Sequence, residues 1–175
     1  MMRWVRWGLF TLTLAALIHW LAVSQGPNFI MWRAMGQVAQ GKANSIAHGT
    51  RATAESRTIV KPSPDLLYST CVFDVSKRPL KIVTGAPSDT YWSVALYADN
   101  TDNFFVLNDS AAKGQPATII LLGPGQSAPV DTAGTITVNA PTARGLVLFR
   151  TLINDDQREA EIDQARRLAT CQSLP

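Results

Sequence analysis

The chain has 175 residues, of which 46% are hydrophobic and 17% are charged, and its formal net charge is +3. This length suits one domain with appendages, and the hydrophobic content suits a β-rich globular domain with a membrane segment. Arg3 and Arg6 supply two of the three net charges, so the rest of the chain is close to neutral. A nucleic-acid-binding protein needs a concentrated basic face, and the composition argues against that class.

The first 25 residues combine a short basic start with a long apolar run. No Lys, Arg, Asp or Glu occurs from Trp7 to Trp32. A signal peptide cleaved near Ala22 and Ser24 and an uncleaved transmembrane anchor both fit this pattern. We favour the anchor because the apolar character continues through Trp32. Either alternative leaves the basic end in the cytoplasm and exports the body. The anchor predicts a single-pass protein of the bacterial inner membrane with its bulk in the periplasm.

The segment 26–60 is expected to connect the anchor, residues 1–25, to the body, residues 61–175. Gly26 and Pro27 predict a break in the first helix, after which Pro27 begins a second, amphipathic helix that lies on the membrane surface or packs on the body. The alternative is a simple continuation of the anchor helix. Polar residues follow Gly41 and include His48. They predict a linker, or an arm laid across the domain. The apolar stripe of the second helix comprises Ile30, Met31, Ala34, Met35 and Val38.

The body contains short strand patterns separated by glycine and proline. In the first, Leu67, Ser69, Cys71 and Phe73 alternate with the residues of the opposite face. The predicted strands are residues 66–74, 80–84, 91–99, 104–108, 117–122, 134–139 and 145–153. Their spacing predicts a mainly β fold, an antiparallel β-sandwich or jelly-roll-like domain.

One α-helix is predicted to close the chain. Asn154 is its expected N-cap, and Arg166 and Arg167 in its last turn complement the helix dipole. A narrow apolar stripe is expected to dock this helix on a sheet. The stripe consists of Ile162, Ala165, Leu168 and Ala169.

The usual catalytic spacings are missing from the sequence. It contains no G-x-S-x-G elbow, no H-E-x-x-H, no C-x-x-C and no P-loop. Enzyme activity is therefore left open, and no cofactor is predicted. The candidate polar site comprises Asp65, Tyr68, Asp99, Asp102, Asn103 and Arg150.

Two parts of this candidate site have alternative interpretations. The oxygen-rich loop 99–103 resembles a calcium loop but lacks its glycine and its distal glutamate, so we favour a hairpin turn and predict no metal. Arg150 lies in an apolar strand. It either pairs with a buried carboxylate or reaches solvent at a strand end. The candidate carboxylates are those of Asp65, Asp74 and Asp99.

The two cysteines, Cys71 and Cys171, predict a disulfide. In an exported body with only two cysteines, each has one possible partner, and the oxidising periplasm favours the bond between them. The alternative is two buried free thiols.

Several segments together resemble the bacterial domain of unknown function twelve fifty-four, over roughly residues 44–171. They are Pro64–Ser69, Val72–Asp74, Tyr91–Val94, Ala98–Phe105 and Arg144–Arg150. The resemblance implies a β-sandwich or jelly-roll-like architecture and no established activity. In longer members a second β-rich domain follows, the domain of unknown function twelve fourteen. This sequence departs from that pattern by ending after its predicted helix and by carrying an anchor.

Three functions remain open at this point. The first is a membrane-anchored binding or assembly module that pairs with a separately encoded envelope protein carrying the second domain. The second is an envelope enzyme acting on a small or amphiphilic substrate, for which Asp65, Tyr68, Asp99 and Arg150 should converge in a pocket. The third is a structural domain that packs as one half of a larger unit and binds no ligand. The acidic run Asp89–Asp109 is expected to meet a basic partner, unless the basic arm, residues 33–61, folds back on it.

Overall fold

The computed structural model describes residues 2–39, 42–57, 62–87, 89–128 and 134–175. It begins with one continuous helix, α1 (Met2–Ala39), which includes Pro27. The predicted helix break at Gly26 and Pro27 is therefore wrong, and the alternative, a continuation of the anchor helix, is confirmed. Proline removes one backbone donor, here the one that would bond to the Val23 carbonyl, and the helix tolerates this single loss. The helix is long and apolar enough to cross a membrane.

The body contains nine strands and a short C-terminal helix. The strands are β1 (Ile46–His48), β2 (Leu66–Asp74), β3 (Leu80–Val83), β4 (Trp92–Ala98), β5 (Asn103–Asn108), β6 (Thr118–Leu122), β7 (Ile136–Asn139), β8 (Arg144–Leu152) and β9 (Thr170–Ser173). A 3-10 turn (Asp156–Arg158) leads into α2 (Glu159–Arg166). Helical residues are about as numerous as strand residues, so the prediction of a mainly β chain is confirmed only in part.

The strands form two sheets. Sheet A has the order β1-β2-β8-β4-β5, and all its pairs are antiparallel. Sheet B has the order β7-β6-β3-β9. Its β6–β7 pair is parallel, which departs from the predicted antiparallel arrangement. A parallel pair needs a crossover connection rather than a tight hairpin.

The main core lies between the two sheets. Phe73 of β2 and Phe149 of β8 contribute from sheet A, and Ile82 of β3 and Leu121 of β6 contribute from sheet B. The alternation predicted for β2 is confirmed, since Leu67, Ser69, Cys71 and Phe73 are all buried. Burial of this apolar surface is the main stabilising contribution to the fold.

The last part of α1 packs on sheet A, where it contacts β2 and β8. Met31 is 5% exposed, and Ala34, Met35 and Val38 are half-buried. The predicted apolar stripe is thus confirmed at these four positions. The prediction is wrong for Ile30, because 62% of its surface is exposed.

Two strands were not predicted from the sequence. The polar arm contributes β1, which pairs with β2, and the chain ends in β9, which pairs with β3. The final helix is also shorter than predicted. Asp155, rather than Asn154, accepts the capping hydrogen bond, from the N–H of Gln157. Leu168 of the predicted stripe is 71% exposed, because the helix ends before it.

Candidate functional site

An open groove of about 420 Å³ lies between α2 and the segment that follows β1. Its walls carry Arg51 from that segment, Glu159, Asp163 and Arg166 from α2, and Leu67 from β2. Leu67 and Ile162 belong to a small apolar cluster that holds α2 on the end of the sheets. The groove therefore combines an apolar floor with charged walls.

Arg166 is the charged residue most deeply buried beside this groove, with 3% of its surface exposed. Its guanidinium donates to the carbonyl oxygens of Tyr68 (2.8 Å) and Gly49 (2.6 Å), and to Oγ of Ser69 (2.8 Å). Nε donates to the Asp163 carboxylate at 2.7 Å. Burial lowers the pKa of Arg166, and the pairing with Asp163 opposes that shift. A buried cation that is so fully hydrogen-bonded links three chain segments and stays charged.

The position of Arg166 follows from the helix period. It lies four residues after Ile162, so both side chains lie on the buried face of α2. Gly85 allows the neighbouring loop to approach the end of the helix. A Cβ at this glycine would lie 2.6 Å from the Ala165 carbonyl oxygen. The sequence analysis missed the burial of Arg166 and assigned it to the helix dipole, although its spacing from Ile162 was a usable signal.

His48 and Ser69 form a hydrogen-bonded pair behind Arg166. The sheet register places them opposite each other, and Nδ1 of His48 lies 2.9 Å from Oγ of Ser69. Because Arg166 can only donate, the serine hydroxyl hydrogen is free to point at the imidazole. Burial lowers the pKa of His48, and the charges of Arg166 and Arg167 lower it further.

This pair contains two groups of a nucleophilic site, but its geometry favours a structural role. Ser69 is only 2% exposed, faces the interior and is already bonded to Arg166. A catalytic serine needs a free path to its substrate. The hydrogen bonds of His48 and Arg166 instead fasten β1 and the residues after it to the body.

Arg51 closes the groove from the other side. Its NH1 group lies 2.8 Å from both the Asp156 and the Glu159 carboxylates, and its Nε donates to the Pro64 carbonyl oxygen. Arg167 pairs with Asp163 as well. The three arginines and three acidic residues of the groove therefore compensate one another. No uncompensated charge remains there, within the part of the chain that the structure describes, to attract an ionic ligand.

The residues predicted as a polar site fall into two groups. The first lies on the outer face of sheet A, where Tyr68 and Arg150 are register partners. Arg150 donates to Oη of Tyr97 at 3.3 Å, and Oη of Tyr68 accepts from the N–H of Ser63 at 3.0 Å. Asp65 is exposed just before β2. Of the two alternatives for Arg150, the buried ion pair is not formed, and the half-buried side chain lies two residues before the end of β8. Its partner is a phenol, and none of the described carboxylates forms an ion pair with it.

The second group lies at the other end of β4. The side chains of Asn100 and Asp102 bond to each other, the Asp99 N–H donates to Oγ1 of Thr142, and Asn103 donates to the Leu96 carbonyl oxygen. Residue 98 lies about 17 Å along the strand from residue 93, the register partner of Arg150. The six residues do not converge. Within the described ranges, no three His, Cys, Asp or Glu side chains gather as metal ligands.

Cys71 and Cys171 lie at disulfide distance, as their pairing in the sequence analysis requires, with Cα atoms 6.6 Å apart. Cys71 belongs to β2 of sheet A and Cys171 to β9 of sheet B. The bond therefore joins the two sheets.

Comparisons with known proteins identify the family. The chain matches the family model described as Protein of unknown function (DUF1254) over residues 43–172. A crystal structure of a protein from Vibrio parahaemolyticus is similar, with a TM-score of 0.65 and 9% identity, over 85% of this chain and 37% of that one. A second structure, from Burkholderia cenocepacia, has a TM-score of 0.48 and 14% identity over 65% of this chain and 32% of that one. No curated protein matches.

The first structural likeness supports the fold alone, and this chain spans well under half the length of both solved proteins. Because the family model covers most of the sequence, including the two sheets and α2, this chain belongs to the DUF1254 family.

Proposed function

We propose that this protein is a single-pass inner-membrane protein whose periplasmic body binds a second envelope domain. Three features support this proposal. Helix α1 is long and apolar enough to span a bilayer. The only basic residues in its first half, Arg3 and Arg6, stand at its start, which favours a cytoplasmic N-terminus. A disulfide between the sheets suits an oxidising compartment.

One observation carries the binding function: the charges of the β4–β5 hairpin are not paired. We call Asp99, Asp102 and Asp109 the acidic hairpin. None of the three takes part in an ion pair with another described residue. This contrasts with the groove, where every charge has a partner. Asp99 and Asp102 lie at the β4–β5 turn, whereas Asp109 lies at the opposite end of β5, beside Trp92. Uncompensated acidic positions along this edge of the sheet suit a basic partner, because complementary charges speed association.

The described part of the arm, residues 33–39 and 42–57, forms none of the ion pairs with the acidic hairpin that the monomer alternative required. Strand β1 lies at one edge of sheet A and β5 at the other. Arg51 of the arm is bound instead to Asp156 and Glu159. The acidic hairpin thus keeps its charge available for another chain.

The similar solved proteins are much longer than this chain, which covers 37% of the one from Vibrio parahaemolyticus. The resemblance stated above implies that the domain of unknown function twelve fourteen is the companion that the body binds. Two partners held in one membrane would meet at a high effective concentration, so a modest interface would suffice.

Affinity capture from solubilised membranes tests the binding function. The intact protein is captured at low and at high salt, and co-purifying proteins are identified. We expect an envelope protein with a basic surface that is retained at low salt and released at high salt, since salt screens surface charges. Recovery of the protein alone under both conditions would contradict the proposal.

A reporter fusion tests the orientation. An enzyme active only in the cytoplasm, fused after Pro175, should be inactive if the body is periplasmic. Strong activity would overturn the topology.

The alternative, an envelope enzyme acting on a small or amphiphilic substrate, has one observation in its favour, the hydrogen bond between His48 and Ser69. An electrophilic probe for activated serines separates the two functions. A binding module should show no labelling, because Ser69 is buried. Labelling that disappears in Ser69→Ala would favour the enzyme.

A further inference from the structure

The segment of α1 that packs on sheet A has a second, uncovered apolar side. Phe29, Ile30 and Trp32 are 61%, 62% and 63% exposed, and the rings of Phe29 and Trp32 lie 5.9 Å apart. A helix that packs on a water-soluble domain normally turns polar residues outward. Exposed apolar patches of this kind mark a surface that is covered by something else.

The length of the uncharged run indicates what covers it. From Trp7 to Trp32 the helix measures about 39 Å, at 1.5 Å per residue. A bilayer is about 30 Å thick in its hydrocarbon core and about 40–45 Å with its headgroup regions. Trp7 and Trp32 therefore lie at the depths where tryptophan is enriched, and Arg33 follows directly. This placement would extend the anchor predicted for residues 1–25 as far as Trp32.

This depth brings part of sheet A to the membrane. The C-terminal end of α1 is fixed near the far end of β2, because Lys42 N–H donates to the Ala39 carbonyl oxygen and Asn44 N–H donates to that of Val72. The helix contacts β2 and its neighbour β8 over this segment, and we infer that it runs along them. About 13 Å of strand separates Val72 from Tyr68, and the same distance back from Ala39 along the helix reaches Ile30.

Arg150, the register partner of Tyr68, lies at this level with unused hydrogen-bonding capacity. Its side chain is half-buried and makes one long hydrogen bond to another described residue, the one to Tyr97. On its other side is Ser93, which is 2% exposed and whose hydroxyl has no partner among the described residues. A guanidinium has five donors and matches the geometry of a phosphate.

We propose that the body is seated directly on the bilayer, with the phospholipid interface covering Phe29, Ile30 and Trp32 and a lipid phosphate bound to Arg150. The proposal rests on the proposed anchoring by α1. Exposed Asp65, Asp89 and Asp155 lie at the same end of the strands, so anionic lipids gain no general advantage. The ligand is the phosphate that zwitterionic and anionic phospholipids share.

Spin labels in the full-length protein test the seating. The native cysteines are joined, so a single added cysteine can be labelled in Leu14→Cys, Ile30→Cys and Ile136→Cys, each reconstituted in phosphatidylcholine vesicles. Depth is measured from the accessibility to oxygen and to a water-soluble nickel complex. We expect position 14 deep in the bilayer, position 30 at the interface and position 136 in water.

The outcomes separate the two proposals. Position 14 in the bilayer with position 30 as water-exposed as position 136 would overturn the seating and leave the anchor intact. Position 14 in water would overturn the anchor and the seating with it.

A lipid titration tests the phosphate site. The protein is purified in a detergent without phosphate, and its Tm is followed as a short-chain phosphatidylcholine is added. We expect the Tm to rise in the wild type and in the control Arg144→Gln, since Arg144 is exposed and bound to Asp74 at the other end of the sheet. Arg150→Gln should lose this rise, whatever its starting Tm. An undiminished rise in Arg150→Gln, or none in the wild type, would overturn the site.

Discussion

Two arginines on opposite sides of β2 show how differently this chain treats its charges. Arg166 meets β2 from the inside and bonds to two carbonyls, a hydroxyl and the Asp163 carboxylate. Arg150 lies next to the same strand on the outer face and has one phenol as its partner. The end of the body around His48, Ser69, Asp163 and Arg166, which we call the inner end, has its polar groups paired with one another. The outer face of sheet A and the acidic hairpin keep polar groups that another molecule can bind. The comparison separates what holds the fold from what is left for binding.

The largest effect is expected from the disulfide that joins the two sheets. The Cys71→Ala, Cys171→Ala double variant should lose up to ~4.7 kcal/mol of unfolding free energy, because the bond closes a loop of about 100 residues. Denaturant unfolding in detergent, without reductant, measures this loss. Reduction of the wild type should have a similar effect and should leave the variant unchanged. An unaltered unfolding midpoint in the variant would show that the disulfide does not stabilise the fold.

Loss of Arg166 should come next. Arg166→Leu leaves Asp163 without its buried partner and leaves the carbonyls of Gly49 and Tyr68 without their donor, which should cost about 3–5 kcal/mol. Arg167→Leu is the matched control. It removes the neighbouring arginine that pairs with the same Asp163 but is half exposed, and should cost less than about 1 kcal/mol. Equal losses in the two variants would contradict the distinction between the inner end and the surface.

His48 gives the inner end a pH dependence. Its pKa is lowered in the folded protein, so the folded state binds the proton less readily than the unfolded state does. Its contribution to stability should be complete above the ordinary pKa of 6.5 and should fall as the pH drops below that value. Unfolding free energies between pH 7.5 and 5 would measure this slope. His48→Gln should flatten it, and an unchanged slope in that variant would assign the effect to other groups.

The sequence predicts the longer strands of the two sheets better than it predicts the short strands β1 and β9. Period-two alternation identifies β2, β4 and β8, because their two faces meet such different surroundings. Strands β1 and β9 have three and four residues, too few for any period to be visible, and each depends on pairing with a distant strand. Pro27 suggested a break, although the helix retains its other backbone bonds.

The candidate site was predicted least well, for a physical reason. Polar residues were grouped by their proximity in sequence and by their types, but the two ends of β4 are far apart. The residues that do converge, His48, Ser69, Asp163 and Arg166, come from three separate segments. Only the register of β1 on β2 and the docking of α2 bring them together. The pairing of the two cysteines needed no such knowledge, because the chain has only two.

The smallest effect on stability and the largest on binding should come from the acidic hairpin. In Asp99→Lys, Asp102→Lys, Asp109→Lys, none of the replaced carboxylates loses an ion pair with a described residue. We expect each substitution to change the unfolding free energy by about 0.5 kcal/mol or less. A double variant at two exposed acidic positions elsewhere, Glu55→Lys and Asp65→Lys, controls for most of the change in net charge, since each substitution adds two positive charges.

The measurement that tests the central claim most directly is co-purification from membranes, with Tm measured on the same samples, for the wild type and these two variants. The account predicts that the hairpin variant loses its salt-sensitive partner at nearly unchanged Tm, while the control variant keeps the partner. A hairpin variant that loses stability, with no partner recovered from any of the three proteins, would contradict it and indicate a self-contained monomer.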